Sequence, residues 1–299
     1  MLKHDKGNTK KVRLQRISAA CKTKLRAAIP AAIFACMMLT GCVKDELYNT
    51  PHPDKGVASV SVNIPQGMTD DYVIEVDGTP LPKGRTESDP LTPGEHTVLA
   101  YNTPEGFTVT DGIAYVERVN GARAPGDLID PLPEVLYSGT KTITIAADDT
   151  LHVDLDVAQR TRDLRLQLTV TEGNPERIAS ITGTLSGVAG AYNLLGETLY
   201  GEAASTAPIF TRSGDMVTAD LRLLGTAGDV QTLTLVLTFT NGLTQTVESD
   251  LTDVLASFNV GTEHTLTVTG TLRTPTEAGA GGCTITDWTH GGSGSGSAT

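Results

Sequence analysis

The stretch Leu164-Arg165-Leu166-Gln167-Leu168-Thr169-Val170 alternates apolar and polar residues at every position. Successive side chains of a β-strand point to opposite faces of a sheet, so this period of two predicts a strand with one buried face. The same alternation runs from Ala58 to Ile64, where Pro65 ends it. Because the pattern recurs along most of the chain, we predict an all-β protein.

Turn residues separate further strands on both sides of this stretch. Before it we expect seven short strands, enough for one β-sandwich. They include residues 107–109 and 113–116 around Asp111-Gly112, and residues 141–146 and 151–157 around Asp148-Asp149. After it we expect strands at 178–185, 216–224, 232–240, 243–247, 265–272 and 285–288, with Asn241-Gly242 as a hairpin turn.

One short helix interrupts the strands near residues 250–257. Leu251, Val254, Leu255 and Phe258 recur at helical spacing and follow Ser249-Asp250, a suitable N-cap. The length of 299 residues allows roughly two domains. We therefore divide the chain into a signal peptide (1–41), a tether (42–56), an N-terminal β-sandwich (57–160), a C-terminal β-sandwich (161–290) and a flexible tail (291–299).

The first 41 residues have the organisation of a bacterial lipoprotein signal. Nine Lys and Arg residues precede the 13-residue apolar run from Ala27 to Leu39, which is too short to span a bilayer. The lipobox Leu39-Thr40-Gly41-Cys42 follows directly. Its small residues suit a signal peptidase, and the Cys42 thiolate is the nucleophile that accepts the lipid. Cys42 is thus the predicted lipidation site and mature N-terminus, and the protein is expected in the outer membrane.

The residues after Cys42 predict which side of the outer membrane the protein faces. Lys44-Asp45-Glu46 resembles the surface-export signal of Bacteroidetes-type lipoproteins, although the same residues would also suit an ordinary polar tether. We favour export to the cell surface.

Charge excludes one class of partner. Removing residues 1–41 leaves 14 basic and 34 acidic residues, a net charge of −20. A body this acidic repels a phosphate backbone, so we expect no nucleic acid partner. Arg160, Arg162 and Arg165 stand close together and could grip an acidic partner. We favour a solvated strand face on which they pair with acids such as Asp154, Asp156 and Asp163.

The sequence offers no catalytic or metal-binding pattern, so we expect neither an enzyme nor a cofactor. The five histidines of the mature chain are scattered, and His96 and His264 share only a Glu-His-Thr context. HExxH, G-x-S-x-G and P-loop motifs are all missing from the sequence. Cys283 is the single cysteine after Cys42, and we interpret it as a half-buried strand residue and not as a reactive thiol.

Three further segments carry a family resemblance. Leu91 to Asn102 resembles the L-x-P-G-x-[YH]-x-V-x-A-Y-N strand of FimB-like fimbrial subunit lipoproteins. Pro133 to Gly139 resembles their P-[DE]-x-L-Y-x-G segment, and Ser186 to Leu194 resembles the turn of their second domain. The small-residue stretch from Gly201 to Ala207 departs from the family pattern.

The resemblance implies two transthyretin-like β-sandwiches in tandem and a role as a fimbrial anchor or accessory subunit in cell adhesion. The expected partners are other fimbrial subunits, bound at sheet edges by main-chain hydrogen bonds. A surface glycan-binding lipoprotein is the alternative function. It would need exposed aromatic platforms, and the chain has one Trp and seven Tyr.

Replacing Cys42 by Ala should abolish stable attachment to the outer membrane. The substitution removes the thiol that accepts the lipid, and no other stretch is long and apolar enough to anchor the chain. Fractionation and metabolic labelling with a fatty acid would measure the loss, with Cys283→Ala as the control that keeps the lipid. Membrane attachment of Cys42→Ala with its apolar segment removed would refute the lipoprotein assignment.

Overall fold

A computed structural model describes residues 54–69, 71–119, 128–261, 264–276 and 281–291. These residues form nineteen β-strands and one short α-helix, α1 (Thr252–Leu255). The strands of the first half are β1 (Val57–Asn63), β2 (Tyr72–Val76), β3 (Thr79–Pro80), β4 (Gly94–Asn102), β5 (Phe107–Thr110), β6 (Ile113–Val116), β7 (Leu128–Ile129), β8 (Tyr137–Ile145), β9 (Thr150–Asp156) and β10 (Ala158–Gln159). Those of the second half are β11 (Arg162–Glu172), β12 (Ile178–Asn193), β13 (Thr198–Thr206), β14 (Thr211–Ser213), β15 (Met216–Leu223), β16 (Thr232–Phe239), β17 (Thr244–Asp250), β18 (Thr265–Arg273) and β19 (Thr284–His290).

The first sandwich packs a parallel pair of strands against a five-stranded sheet. The pair is β1 and β9, and the sheet has the order β10-β8-β4-β2-β3. Alternate residues of β1 and β9 point inward, so Ala58, Val60, Val153 and Leu155 are buried in one cluster with residues of β4 and β8. The period of two noted in the sequence therefore marks the inner face.

The second sandwich packs a five-stranded sheet against a seven-stranded sheet. One has the order β14-β15-β11-β18-β19, and the other the order β17-β16-β12-β13-β7. Leu164, Leu166 and Leu168 of β11 are fully buried between them. Helix α1 follows β17, and Leu251, Leu255 and Phe258 point from this region into the same core. The predicted helix and its buried face are confirmed, but the helix has only four residues and its N-cap is Leu251 and not Ser249 or Asp250. The Asp250 carboxylate accepts a hydrogen bond from the Thr252 N–H at the start of the helix.

The two sandwiches share one topological feature. In each, the first strand pairs in parallel with a strand near the end: β1 with β9, and β11 with β18. Parallel pairing requires a long connection, which the intervening strands supply.

The structure differs from the sequence prediction at residues 107–116, which the sequence pattern places in the first sandwich. The hairpin β5–β6 joins the second sandwich instead, since β6 pairs with the end of β12. Strand β7 likewise pairs with β13. Ala114, Val116 and Ile129 are buried in the core of the second sandwich. A tight turn fixes the hairpin locally, but does not determine which sheet the hairpin joins.

Three other local predictions need correction. Strand β12 does not end at residue 185 but continues to Asn193, through the segment where a turn was expected. The strands around Asp148-Asp149, β8 and β9, belong to different sheets and do not form a hairpin ladder. Residues 198–206, for which no strand was expected, form β13, which pairs with β12. Gly201, at a φ of 81°, takes the left-handed conformation there, which glycine adopts without strain. It lies at a β-bulge between β12 and β13, and this accounts for a glycine within the small-residue stretch.

The all-β fold of sandwiches is confirmed. The boundary between residues 160 and 161 stays a prediction, and the signal peptide and most of the tether and tail lie outside the described residues. Within the parts of the chain that the structure describes, we find no helix long and apolar enough to cross a membrane.

Replacing Ile129 by Ala should destabilise the second sandwich, although Ile129 precedes it in sequence. The side chain is 1% exposed in that core, and such truncations cost about 3 kcal/mol. Trp288 is the sole Trp and lies on β19, so its fluorescence during urea unfolding reports on this sandwich. Ile64→Ala, at a 37% exposed position, is the control and should change little. An unchanged unfolding midpoint for Ile129→Ala would contradict the shared sheet.

Candidate functional site

The predicted lipidation and export residues cannot be placed in the fold. Cys42, the lipobox residues Leu39, Thr40 and Gly41, and the export residues Lys44, Asp45 and Glu46 all lie outside the described residues. The arginine cluster, Cys283 and the sheet edges are within them.

Arg160 links the two sandwiches. Its Nε donates to the Ser138 hydroxyl at 2.8 Å and its Nη2 to the Ser138 carbonyl at 2.9 Å, both on β8. The same guanidinium forms an ion pair with Glu197, in the turn between β12 and β13. It also lies 5.6 Å from the ring centre of Tyr192, near the end of β12. Arg160 is therefore a structural contact between β8 and the β12–β13 turn.

Arg165 makes a local surface ion pair. Its Nε and Nη2 donate to the two Asp220 oxygens at 2.6 and 3.1 Å across the β11–β15 ladder. That hydrogen bond raises the pKa of Arg165. Both side chains are about half exposed, so the pair contributes at most about 1 kcal/mol. Local ion pairs are confirmed for Arg160 and Arg165, but their partners are Glu197 and Asp220, and Asp163 pairs with Arg222 at 2.7 Å.

A cleft of about 280 Å³ opens beside these arginines. Its walls include Arg160, Glu197, Leu199 and Asn259. Arg162 also lines it and stacks over the Phe258 ring at 5.0 Å. The Asn259 side chain is hydrogen-bonded to both main-chain groups of Thr226. Most polar groups of the cleft are thus engaged within the protein.

In the described part of the chain, the aromatic residues do not form the exposed platform that glycan binding would require. Trp288 lies against Gly270, where an added Cβ would come within 2.8 Å of the indole, and its Nε1 donates to Ser249 Oγ at 2.7 Å. Tyr101, Tyr137 and Tyr192 are buried. Tyr200, 46% exposed, is the most exposed ring among the described tyrosines.

His96 forms a specific pair with Asp77, which its Glu-His-Thr strand context does not predict. Its Nδ1 lies 2.6 Å from Asp77 Oδ2, and its Nε2 lies 2.7 Å from the Thr92 carbonyl. Both neighbours are acceptors, so the doubly protonated imidazolium fits best. The hydrogen bond to Asp77 raises the pKa of His96, and the same bond lowers the pKa of Asp77. The Glu-His-Thr similarity with His264 does not extend to this pair.

Cys283 is a structural residue, as expected. The side chain is 8% exposed, and its Sγ lies 2.8 Å from Gln245 Oε1 on β17. Burial raises the pKa of the thiol, which keeps it protonated and unreactive. Across the described ranges, no three His, Cys, Asp or Glu side chains come together in a way that could hold a metal ion.

Most sheet edges of the described residues are short or protected. Strands β3, β5, β7, β10 and β14 have two to four residues each. The pairings of β13 and β19 contain register shifts, which twist an edge away from further partners. On β9, the Lys141 amine donates to the Asp154 carbonyl at 3.0 Å.

Strand β17 is different. It pairs with β16 over seven consecutive residues without a register shift. Its sequence, Thr244 to Asp250, contains neither Pro nor Lys, which often protect an edge, and its only charged residues are Glu248 and Asp250. On its inner face, Ser249 of β17 accepts a hydrogen bond from Trp288 of β19. No described strand pairs with the edge of β17 that faces away from β16. We call Thr244–Asp250 the β17 edge. The sequence showed a strand here but could not show that it ends a sheet.

Known proteins give a consistent picture. The family model described as "Fimbrillin-A associated anchor proteins Mfa1 and Mfa2" matches residues 71–290. A candidate adhesin from Bacteroides ovatus ATCC 8483 superposes with a TM-score of 0.54 at 16% identity, covering 80% of this chain and 95% of that one. The fimbrial anchor protein Mfa2 from Porphyromonas gingivalis superposes with a TM-score of 0.53 at 13% identity, covering 80% and 98%. A search of curated protein sequences gives no match.

The His96–Asp77 pair should make stability depend on pH. The folded pKa of His96 lies above its ordinary 6.5, so the contribution of His96 is complete below that value and is lost as the pH rises through the folded pKa. The folded pKa of Asp77 lies below 3.8, so its contribution is lost only in acid. The stability difference between the wild type and His96→Gln should therefore shrink from about pH 5.5 to about pH 8.5 in urea unfolding. His152→Gln, at an exposed position on β9, is the control. A difference independent of pH would contradict the pairing.

Proposed function

Because the chain belongs to the family of fimbrillin-A associated anchor proteins Mfa1 and Mfa2, we propose that it is a fimbrial anchor or accessory subunit. In this proposal a lipid on Cys42 holds the protein in the outer membrane. Lys44, Asp45 and Glu46 direct it to the cell surface. The tether of residues 42–56 separates the lipid from the first sandwich, and the second sandwich, from residue 161, binds the next fimbrial subunit.

The family match over residues 71–290 is the observation that carries this proposal. The match includes all of the second sandwich and the first sandwich from β2 onward, and leaves out β1. The superposition on the Porphyromonas gingivalis anchor protein supports the same fold. The described residues contain no metal-ligand cluster that would favour a catalytic function instead.

The β17 edge is the surface that we propose for subunit binding. The Leu251 N–H donates to the Gln231 carbonyl, and the Phe239 N–H donates to the Leu243 carbonyl. These two bonds fix the alternation of the β16–β17 ladder, so odd-numbered residues of β17 bond to β16. The main-chain groups of Thr244, Thr246, Glu248 and Asp250 then face outward.

An added strand would satisfy these outward groups. Main-chain hydrogen bonds supply affinity in such β-augmentation, and the side chains on either face of the new strand supply specificity. The side chains of Thr246, Glu248 and Asp250 are exposed on the outer face. Since two of the three are acidic, a partner strand with Thr, Lys or Arg at the opposing positions fits best.

Replacing Thr246 by Pro should abolish binding of the partner subunit while the fold persists. Proline removes an N–H that faces the open edge, which an edge strand tolerates, and leaves the odd-numbered bonds to β16 intact. The measurement is co-purification of the full chain with the shaft subunits of the same fimbria, and the expected loss is at least about tenfold.

Thr246→Ala is the matched control, since it shortens the same side chain and keeps the N–H. It should bind like the wild type. Equal capture by Thr246→Pro and the wild type would rule out the β17 edge. Retention of a defined polysaccharide with no fimbrial subunit would favour the glycan-binding alternative.

A further inference from the structure

We propose that β1 and β9 form a mechanical clamp that carries tension from the membrane anchor into the second sandwich. The direction of pull rests on the proposed function, in which lipid at Cys42 holds the N-terminal end and a fimbrial partner pulls on the second sandwich. The clamp itself is a property of the described strands.

Parallel pairing puts β1 and β9 in shear. Val57 lies opposite Thr150, and Asn63 opposite Asp156, over seven residue pairs. Force from the tether enters at Val57. It leaves at Asp156, where residues 157–161 connect directly to β11. In a parallel pair these two points are at opposite ends of the ladder, about 20 Å apart. Tension therefore loads all of the ladder hydrogen bonds together and cannot unzip them one at a time.

A second row of hydrogen bonds holds β1 on its other side. The Gly56 N–H donates to the Leu91 carbonyl at 3.0 Å, and the Leu91 N–H donates back at 2.8 Å. The Ser88 N–H donates to the Ala58 carbonyl at 2.9 Å, and the Val60 N–H to the Thr86 carbonyl at 2.8 Å. To leave the sandwich along the pull, β1 must break both rows.

The interior face of β1 keeps water away from these bonds. Ala58 is 0% exposed and Val60 is 2% exposed, and both pack in the core of the first sandwich. A hydrogen bond shielded from water has no ready replacement partner while it is being stretched. Removing β1 would also expose this apolar core.

The second sandwich receives the load in the same way. Strand β11 begins immediately after the connection from β9 and is also bonded on both sides. It pairs with β15 over eight residues and with β18, in parallel, over nine. Each sandwich is thus entered through a strand that is hydrogen-bonded on both sides.

The alternation along β1 identifies a residue whose change would weaken the clamp selectively. The Val57 N–H donates to the Asp149 carbonyl at 2.9 Å, on the β9 side. The N–H groups of Ala58 and Val60 point the other way, to Ser88 Oγ and Thr86 O. The Ser61 N–H therefore faces β9. Its side chain is exposed, so Ser61→Pro removes a clamp bond without emptying the core.

The test is single-molecule force spectroscopy on the full chain, pulled through fused handles at its two termini. Ser61→Pro should lower the force at which β1 detaches by roughly a third, since rupture under force follows the unfolding barrier and not the equilibrium stability. Ile143→Ala is the matched control. It truncates a side chain of the same core, 6% exposed on β8, and leaves the β1–β9 ladder intact. It should lower stability at least as much as Ser61→Pro and the detachment force less.

A second pulling geometry isolates β1. When the N-terminal handle is attached to a bioorthogonal amino acid at position Gln66, the load enters the chain after β1. Ser61→Pro should then no longer lower the detachment force. Two outcomes would overturn the clamp. One is that the detachment forces of Ser61→Pro and Ile143→Ala simply follow their free energies of unfolding. The other is that Ser61→Pro lowers the detachment force equally in both pulling geometries. Neither measurement needs lipid or a fimbrial partner, so failure of the proposed function would be distinguishable: Thr246→Pro would bind normally while the clamp results stood.

Discussion

The pairing of β6 with the end of β12 is the constraint on which both sandwiches depend. Strand β12 has sixteen residues, about three times the common length of a strand. Its first half pairs with β16, and its second half pairs with β13 and β6. A strand of this length must bend, and the register shifts around Gly187, at a φ of 74°, allow it to do so. The second sheet is therefore completed by a hairpin from the other half of the chain.

The core of the second sandwich also reaches the five-stranded sheet of the first sandwich, whose own core is a separate cluster. Leu99 and Tyr101 of β4 belong to the cluster that contains Leu164 and Leu166 of β11. Arg160 strengthens the junction, because its side chain is 14% exposed and reaches Ser138 on one side and Glu197 on the other. A partly buried ion pair is costly unless further hydrogen bonds satisfy it, and the Ser138 hydroxyl and carbonyl supply them. The joint between the sandwiches is built from strand pairing and an ionic contact and not from a free linker.

Sequence reasoning succeeded where local physics decides the structure. Alternation at Leu164 to Val170 identified β11, and the Leu251, Leu255 and Phe258 spacing identified the helix, because burial of one face leaves a period in the sequence. It failed where distant segments decide. Asp111-Gly112 fixes a hairpin, but only the exposed edge of β12 determines which sheet the hairpin joins. Arg160 read as a surface residue because Ser138 and Glu197 are 22 and 37 residues away. The sequence also could not show that β17 lies at the edge of its sheet, because strand order depends on segments that are distant in the chain.

An unprotected sheet edge can pair with strands of unrelated chains and cause aggregation. This chain protects several of its other edges. Register shifts interrupt β13 and β19, Lys141 caps a carbonyl of β9, and β3 ends in Pro80. The β17 edge has none of these devices and is nevertheless regular over its whole length. In a protein that takes part in an assembly, a straight edge of this kind is what a second chain needs for pairing. The clamp strand β1 has the opposite character, because it is hydrogen-bonded on both sides and its inward-facing residues Ala58 and Val60 are buried. The proposed partner-binding edge thus has open main-chain groups, whereas the proposed clamp strand has hydrogen bonds on both sides.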